Sequence, residues 1–120
     1  MVDNKEEGRE GSTPLQIDRL IHEPGRLMIM AHLYVVESAD FLFLKRQTGL
    51  TWGNLSAHLS KLEAAEYIDV EKEFVDKKPH TVLHLTAKGR TAFHIYKQSM
   101  KQVFEDHSPE WFRTKSRFTK

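Results

Sequence analysis

The fold is decided by residues 41–67, which read FLFLKRQTGLTWGNLSAHLSKLEAAEY. This stretch predicts two short helices with a tight turn between them, the first of which starts at Phe41. Gly49 is expected to end that helix, because glycine readily adopts the left-handed backbone found at many helix ends. Thr51 precedes the next helical period, where its hydroxyl can accept a hydrogen bond from a first-turn amide. The sequence therefore predicts a helix–turn–helix pair.

The second helix of this pair has two different faces. Leu55, Leu59 and Leu62 recur at helical spacing and predict a narrow stripe that is buried in a core. The side chains away from this stripe are small, hydrogen-bonding or positively charged, apart from one tryptophan: Thr51, Trp52, Asn54, Ala57, His58 and Lys61. Such a helix fits the major groove of DNA, although an ordinary surface helix has the same pattern.

Length and composition indicate one globular domain with a modest core. The chain has 120 residues, of which 39% are hydrophobic and 29% charged. It contains no cysteine, which excludes disulfides, thiolate metal sites and thiol redox sensing within it. No apolar run reaches the roughly 18 residues that a membrane span needs, and no signal peptide is recognisable. We therefore expect a cytoplasmic protein that has no membrane partner.

The net charge of +1 does not by itself indicate a nucleic-acid partner. Residues 1–23 carry six acids and three bases, whereas residues 111–120 carry four bases and no acid. Any contact with DNA must therefore come from bases placed locally on particular elements.

The two ends of the chain differ from its middle. Residues 1–13 are polar and predict a flexible tail. Residues 14–107 are expected to form the domain, which begins with a short helix through Leu15, Ile17, Leu20 and Ile21 that stops ahead of Pro24. Ser108-Pro109 is expected to break the last helix, which leaves residues 108–120 as a basic and aromatic tail.

A second helix is predicted from Gly25 to about Glu37, and it is unusually apolar. Its hydrophobic residues lie almost all the way round the helix, so more than one side of it must be covered. A chain of this size has little of its own to cover both sides. We interpret the pattern as a homodimer contact, with coverage by the chain's own terminal helices as the alternative.

After Tyr67 the period changes from helical to alternating, which predicts a strand through Ile68, Val70 and Phe74. Residues 76–80 are expected to form a turn in which Pro79 stops the strand, and residues 81–86 return as a second strand. Ser38 to Asp40 are expected to be a connection, with Asp40 as an N-cap. A long helix follows Thr86, with Gly89 in its first turns. The fold class is thus mainly α with a small β-hairpin.

In combination, these motifs resemble the winged-helix transcription regulators of the MarR/ArsR type. The resemblance covers residues 15–105 and is most specific in the run Gly-Asn-Leu-Ser-x-His-Leu-x-Lys-Leu-Glu at 53–63. A basic turn and Leu85-Thr86-x-x-Gly89-Arg90 follow that run. Two residues depart from the family pattern: Glu66 stands where glycine is frequent, and Trp52 is bulky where a small residue is usual.

The resemblance implies a winged helix–turn–helix and a homodimer that places two recognition helices, each beginning near Thr51, in successive major grooves. The hairpin tip at Asp76 to Thr81 would be the wing, against the minor groove or the backbone. Dimerisation would use the first long helix and the last one. The candidate interface residues are Leu27, Met30, Tyr34, Phe93, Tyr96, Met100 and Phe104.

Particular side chains are candidates for DNA contact. The phosphate candidates are bases on the helix pair and the wing: Lys45, Arg46, Lys61, Lys77 and Lys78. Asn54 and His58 are candidates for base edges, since asparagine can bind adenine with two hydrogen bonds. Thr51 and Ser56 are candidates for contacts with phosphate, and His80 is a candidate for the contact made by the wing. Trp52 is a candidate for contact with a thymine methyl or a sugar, or else it fills a gap between the two helices.

The function predicted is a sequence-specific DNA-binding transcription regulator, a repressor, that acts on a near-palindromic site in double-stranded DNA. A winged-helix module that binds another protein is the alternative, because the domain is nearly neutral and the tail carries Trp111-Phe112. The sequence leaves open any small-molecule effector, whose pocket would lie at the dimer interface.

No enzyme or cofactor is predicted. The chain has no glycine-rich phosphate loop and no motif that aims a nucleophile. His80 and His84 share one face of a strand, and His94 and His107 lie on or near the last helix. Their spacing matches no zinc motif, so we expect ordinary solvated histidines and no metal.

Overall fold

A computed structural model of the chain describes residues 16–106, which divide into two compact units, Asp18–Lys97 and a smaller one that includes Gln98–Asp106. Within these residues the chain forms four helices and a three-stranded sheet, in the order α1 (Pro24–Val36), β1 (Ser38–Asp40), α2 (Phe41–Thr48), α3 (Trp52–Ala64), β2 (Ile68–Val75), β3 (Lys78–Leu85) and α4 (Ala87–Asp106). The predicted tails and the predicted break at Ser108-Pro109 lie outside the described residues.

Local capping chemistry sets the helix ends where the sequence predicts them. Asp40 Oδ1 accepts the Phe43 amide at 2.7 Å, and Thr51 Oγ1 accepts the Asn54 amide at 3.1 Å. Gly49 ends α2 with a φ of 73°, in the left-handed region. The Thr86 hydroxyl oxygen accepts the Gly89 amide at 2.9 Å and starts α4. The Gly49 terminus and the Thr51 cap together fix the turn between α2 and α3.

The predicted leucine stripe of α3 lies in the core. Leu55 and Leu62 are fully buried and Leu59 is 6% exposed. This side of α3 packs against α1 and β2. Burying one leucine contributes about 1.5–3 kcal/mol, so the stripe holds the orientation of α3 firmly. The other core side chains are Ile21, Ile29, Met30, Leu33, Leu44, Ile68, Leu83, Phe93 and Tyr96.

The sheet has one strand more than the predicted hairpin, so the expected connection at Ser38 to Asp40 is a strand instead. The strand order is β1-β3-β2, and both pairings are antiparallel. Ser38 pairs with His84 and Asp40 with Val82. A strand of three residues depends on a partner more than forty positions away, and no local periodicity can indicate it.

The hairpin turn is also shorter than predicted. Asp76 and Lys77 alone form it, with φ angles of 53° and 67°, and Val75 pairs with Lys78. This is the two-residue turn whose twist matches that of the strands. Pro79 does not stop the strand but pairs with Phe74 inside it. Next to the closing pair, the nitrogen of Pro79 points away from β2, so its missing proton removes no ladder hydrogen bond.

The short helix predicted ahead of Pro24 does not form in the described residues; residues 19–21 form a turn instead. Asp18 Oδ1 accepts the amides of Leu20 at 2.9 Å and Ile21 at 3.3 Å, and such side-chain bonds compete with helix. The Tyr67 hydroxyl donates to Asp18 Oδ2 at 2.5 Å. Burial, together with this contact, raises the pKa of Tyr67 to about 12.

Glu66 follows α3 in the left-handed region, with a φ of 66°. This conformation costs a residue other than glycine about 1–2 kcal/mol. We expect Glu66→Gly to raise the free energy of unfolding by about 1 kcal/mol in urea denaturation, because the released strain exceeds the added flexibility of the unfolded chain. Glu63→Gly, inside α3, is the matched control and should lower it by about 1 kcal/mol. A loss of stability in both variants would refute strain at Glu66.

Candidate nucleic-acid interface

The outward face of α3 is an exposed polar surface held above the buried leucines. The exposed residues at its start and along this face are Thr51, Trp52, Gly53, Asn54, Ser56, Ala57 and Lys61. Among the predicted contact residues of α3, only His58 is half-buried. The arrangement presents hydrogen-bonding groups and one cation along a single side of a rigid helix.

Trp52 joins α3 to α2. Its ring stacks on Phe41, with centroids 5.1 Å apart and an interplanar angle of 6°, and Lys45 Nζ lies 5.2 Å from its centroid. A cation at this distance from an exposed ring contributes about 0.5–1 kcal/mol. Trp52 nevertheless remains 54% exposed. In the structure, Trp52 therefore fills the gap between the two helices, which is one of the roles expected for it. The rest of its ring stays on the surface.

His58 is turned toward α1 rather than outward, so its assignment as a base-edge residue is revised. Arg26 Nη1 lies 3.1 Å from His58 Nδ1, and Glu23 Oε1 lies 3.6 Å from Nε2. Because a guanidinium can only donate, Nδ1 accepts and the ring carries its proton on Nε2. A Cβ atom on Gly25 would lie 2.6 Å from Nε2, so glycine makes room for the ring. His58 therefore joins α3 to the start of α1.

Glu23 and Arg26 are site-supporting residues that the sequence reasoning missed. Glu23 Oε1 caps α1 by accepting the Arg26 amide at 2.8 Å. This hydrogen bond, together with the charge of Arg26, lowers the pKa of the Glu23 carboxyl. An acidic residue directly before a proline that starts a helix is the signal that could have indicated the cap.

The wing has two chemically different faces. Asp69, Glu71 and Glu73 alternate onto the outer face, where Glu71 Oε1 bonds His84 Nε2 at 2.9 Å. His80 lies on the same face, opposite Glu73. The inner face carries two cross-strand residue pairs, Lys72 with Thr81 and Phe74 with Pro79. Among residues 16–106, no group of three His, Cys, Asp or Glu side chains is placed to hold a metal ion.

The inner face of the wing and α3 enclose a cleft of about 330 Å³. Ser56, Ser60 and Glu63 line one wall, and Val70, Lys72 and Thr81 line the other. A neighbouring cleft of about 380 Å³ has Trp52, Lys78 and His80 among its lining residues. Phe41 and Thr81 belong to both clefts. Helix α3, the start of α2 and the wing therefore form one continuous surface.

Three of the residues predicted for a dimer interface lie in the core of the single chain, so they are not a free surface. Met30 is fully buried, and Phe93 and Tyr96 are each 5% exposed. The Phe93 ring lies 5.1 Å from that of Tyr34, and the Tyr96 hydroxyl lies 2.8 Å from His22 Nδ1. Aromatic side chains of α4 thus fill the domain's own core. Burial raises the pKa of Tyr96.

The remaining predicted interface residues are at least partly accessible. Leu27, Tyr34 and Met100 are half-buried, and Phe104 is 69% exposed. Large apolar side chains that were not predicted are more exposed on α1: Met28 at 39%, Val35 at 78% and Val36 at 42%. On α4, Ile95 is 55% exposed. The prediction that α1 has more than one apolar side is confirmed, but the exposed side differs from the predicted one.

A helix backed by leucines, a capped turn before it and a hairpin with lysines at its tip define a winged helix–turn–helix. Residues 26–104 match the winged helix DNA-binding domain family, and the chain belongs to this family. It is a DNA-binding transcription regulator and not an enzyme. No helix within residues 16–106 is long and apolar enough to cross a membrane.

Similar proteins and structures agree with this membership. An uncharacterized protein of Methanocaldococcus jannaschii is 37% identical over 78 residues, which is 65% of this chain and 85% of that protein. A transcriptional regulator homologue from Pyrococcus horikoshii is 28% identical with a TM-score of 0.72, over 77% of this chain and 91% of that one. A MarR-family regulator from Silicibacter pomeroyi shares the fold, with 18% identity and a TM-score of 0.52 over 80% and 66%.

Proposed function

We propose that the chain acts in the cytoplasm as a homodimeric repressor that binds a near-palindromic site in double-stranded DNA. One observation carries the proposal: the exposed polar face of α3 stands on a buried leucine stripe and is flanked by a wing with lysines at its tip. A helix held in this way can enter the major groove without rearrangement of the domain.

The contacts divide by chemistry. Asn54, exposed at the start of α3, is the proposed base-reading residue, and Trp52 stands beside it on the surface. Thr51, Ser56 and Lys61 on α3, Lys45 and Arg46 on α2, and Lys77, Lys78 and His80 on the wing are the proposed phosphate contacts. His58 has a positioning role, since its ring contacts Arg26 and Gly25.

The proposed dimer uses the exposed apolar stripe of α1. Met28, Val35 and Val36 recur at helical spacing and remain accessible in the single chain. A self-complementary contact of this kind has two-fold symmetry. A two-fold axis presents the two α3 helices to half-sites of the same sequence in opposite directions, which is why the proposed site is a near-palindrome. Half-sites of such dimers lie about 34 Å apart, one turn of DNA, or a multiple of it.

Selection of duplexes from a genomic library, followed by fluorescence anisotropy with the recovered sequences, tests this function. We expect tighter binding of the selected duplexes than of random ones, and a protein mass of two chains by light scattering. Absence of DNA binding by the pure protein at low salt would refute the proposal. Repression is tested by transcription in vitro from a promoter that carries the selected site.

The wing lysines give a quantitative prediction. Lys77 and Lys78 are exposed at the hairpin tip. Replacement of both by alanine should reduce the slope of log K against log salt by up to about two for each wing, because each phosphate contact releases about one counterion. Lys88→Ala, on α4 away from this surface, is the control and should leave the slope unchanged. An unchanged slope in the double variant would remove the wing tip from the phosphate contacts.

A further inference from the structure

The tip of the wing exposes an apolar pair between cations. Phe74 is 74% exposed, and it pairs directly with Pro79, which is also exposed. A single exposed phenylalanine is common on protein surfaces and would not by itself indicate a partner. This one lies next to a rigid two-residue turn, with Lys72 on the same face and Lys77 and Lys78 at the tip.

The charges of the wing determine which of its faces can approach DNA. Asp69, Glu71 and Glu73 occupy the outer face, where they outnumber its one lysine, Lys78 at the tip, so a polyanion is repelled from this side of the wing behind the tip. The inner face carries Phe74, and in the part of the hairpin beyond β1 the charged residue on this face is Lys72. A wing that approaches a duplex therefore presents Phe74 and Pro79 to it, with Val75 turned away.

The wing is also long enough to reach into a groove. Glu71 pairs with Val82, the last residue of β3 that also pairs with β1, and β2 continues for four more residues, Lys72 to Val75, beyond this point. At about 3.3 Å per residue, this part extends about 13 Å, whereas the minor groove is about 7.5 Å deep. A phenylalanine or a proline inserted between base steps from the minor groove unstacks them and bends the duplex.

We propose that Phe74 is an apolar wedge that enters the minor groove beside the recognition helix, with Pro79 supporting its ring, and that the protein bends its DNA site. This inference rests on the proposed DNA-binding function. It adds a specific interaction that does not depend on counterion release, so its effect is separable from that of the wing lysines.

The test compares Phe74→Ala, Phe74→Leu and Val75→Ala with the wild type on duplexes that the wild type selects. Energy transfer between dyes at the two ends of a 30-base-pair duplex measures bending, and 2-aminopurine at the steps under the wing reports unstacking. We expect Phe74→Ala to bind about 10- to 100-fold more weakly and to lose both signals, with the salt slope unchanged. Phe74→Leu should retain part of both signals, because leucine is also an apolar wedge.

Val75→Ala is the matched control, because Val75 is 43% exposed on the opposite face of the same strand. It should bind within about twofold of the wild type and bend the duplex equally. Equal bending by Phe74→Ala and the wild type, or an equal loss in Val75→Ala, would overturn the wedge while leaving the proposed function intact. A wild type that binds no DNA would overturn both. A change of oligomer mass in Phe74→Ala would assign the patch to a contact between chains instead.

Discussion

Replacement of Gly89 by alanine is expected to lower the free energy of unfolding by about 3 kcal/mol. A Cβ atom at this position would clash with the carbonyl oxygen of Tyr67 and lie 2.9 Å from its carbonyl carbon. That carbonyl cannot easily withdraw, because it accepts the Thr86 amide at 3.0 Å, and the Thr86 hydroxyl, which donates to the Glu66 carbonyl at 2.7 Å, lies 3.1 Å from it. The residues that join α3, β2 and α4 would have to separate, which breaks these bonds.

Urea denaturation followed by circular dichroism, at a fixed protein concentration, measures this loss. Thr91→Ala is the control, because Thr91 is exposed on α4, and its effect should stay within about 0.5 kcal/mol. Alanine is the better helix former by about 1 kcal/mol, so the sign of the Gly89→Ala effect is decisive. A Gly89→Ala variant as stable as the wild type would show that the helix can move away from Tyr67 at little cost.

Replacement of Val35 by glutamate is expected to separate the proposed dimer and to lower DNA affinity at least about 100-fold, because two linked half-site contacts gain that much over one. Val35 is 78% exposed in the single chain, so the charge should leave the fold of each chain intact. In a dimer interface the same carboxylate would be buried among apolar side chains, which is strongly unfavourable.

Light scattering and anisotropy titration on the selected duplex measure the two effects, and circular dichroism checks the fold. Val35→Leu keeps the apolar surface and should retain both mass and affinity. A Val35→Glu protein with the mass of two chains would move the interface away from this stripe. A wild type with the mass of one chain would reject the homodimer altogether.

Features with local causes were the ones that the sequence could predict. The caps at Asp40, Thr51 and Thr86 each need one side chain and an amide three residues later. The stop at Gly49 needs only a residue that tolerates a positive φ. The winged helix was correctly predicted because these local signals occur in the right order along the chain.

Features that depend on distant partners could not be predicted in the same way. Strand β1 exists only through β3, and the turn before Pro24 is held by Asp18, whose other carboxylate oxygen accepts from Tyr67. His58 was predicted to face the major groove because its position on α3 lies away from the leucine stripe. Its orientation is set by Arg26, which is 32 positions away, and this contact has no periodic signature.

The two-residue turn at Asp76-Lys77 also limits how this hairpin can change in length. Side chains alternate between the faces, and the closing pair of Val75 and Lys78 fixes the parity of every pair behind it. An insertion of one residue in each strand, behind Glu73 and its partner His80, would transfer Phe74 to the outer face and Glu73 to the inner face, which approaches the groove. Viable wings of other lengths should therefore differ from this one by an even number of residues in each strand.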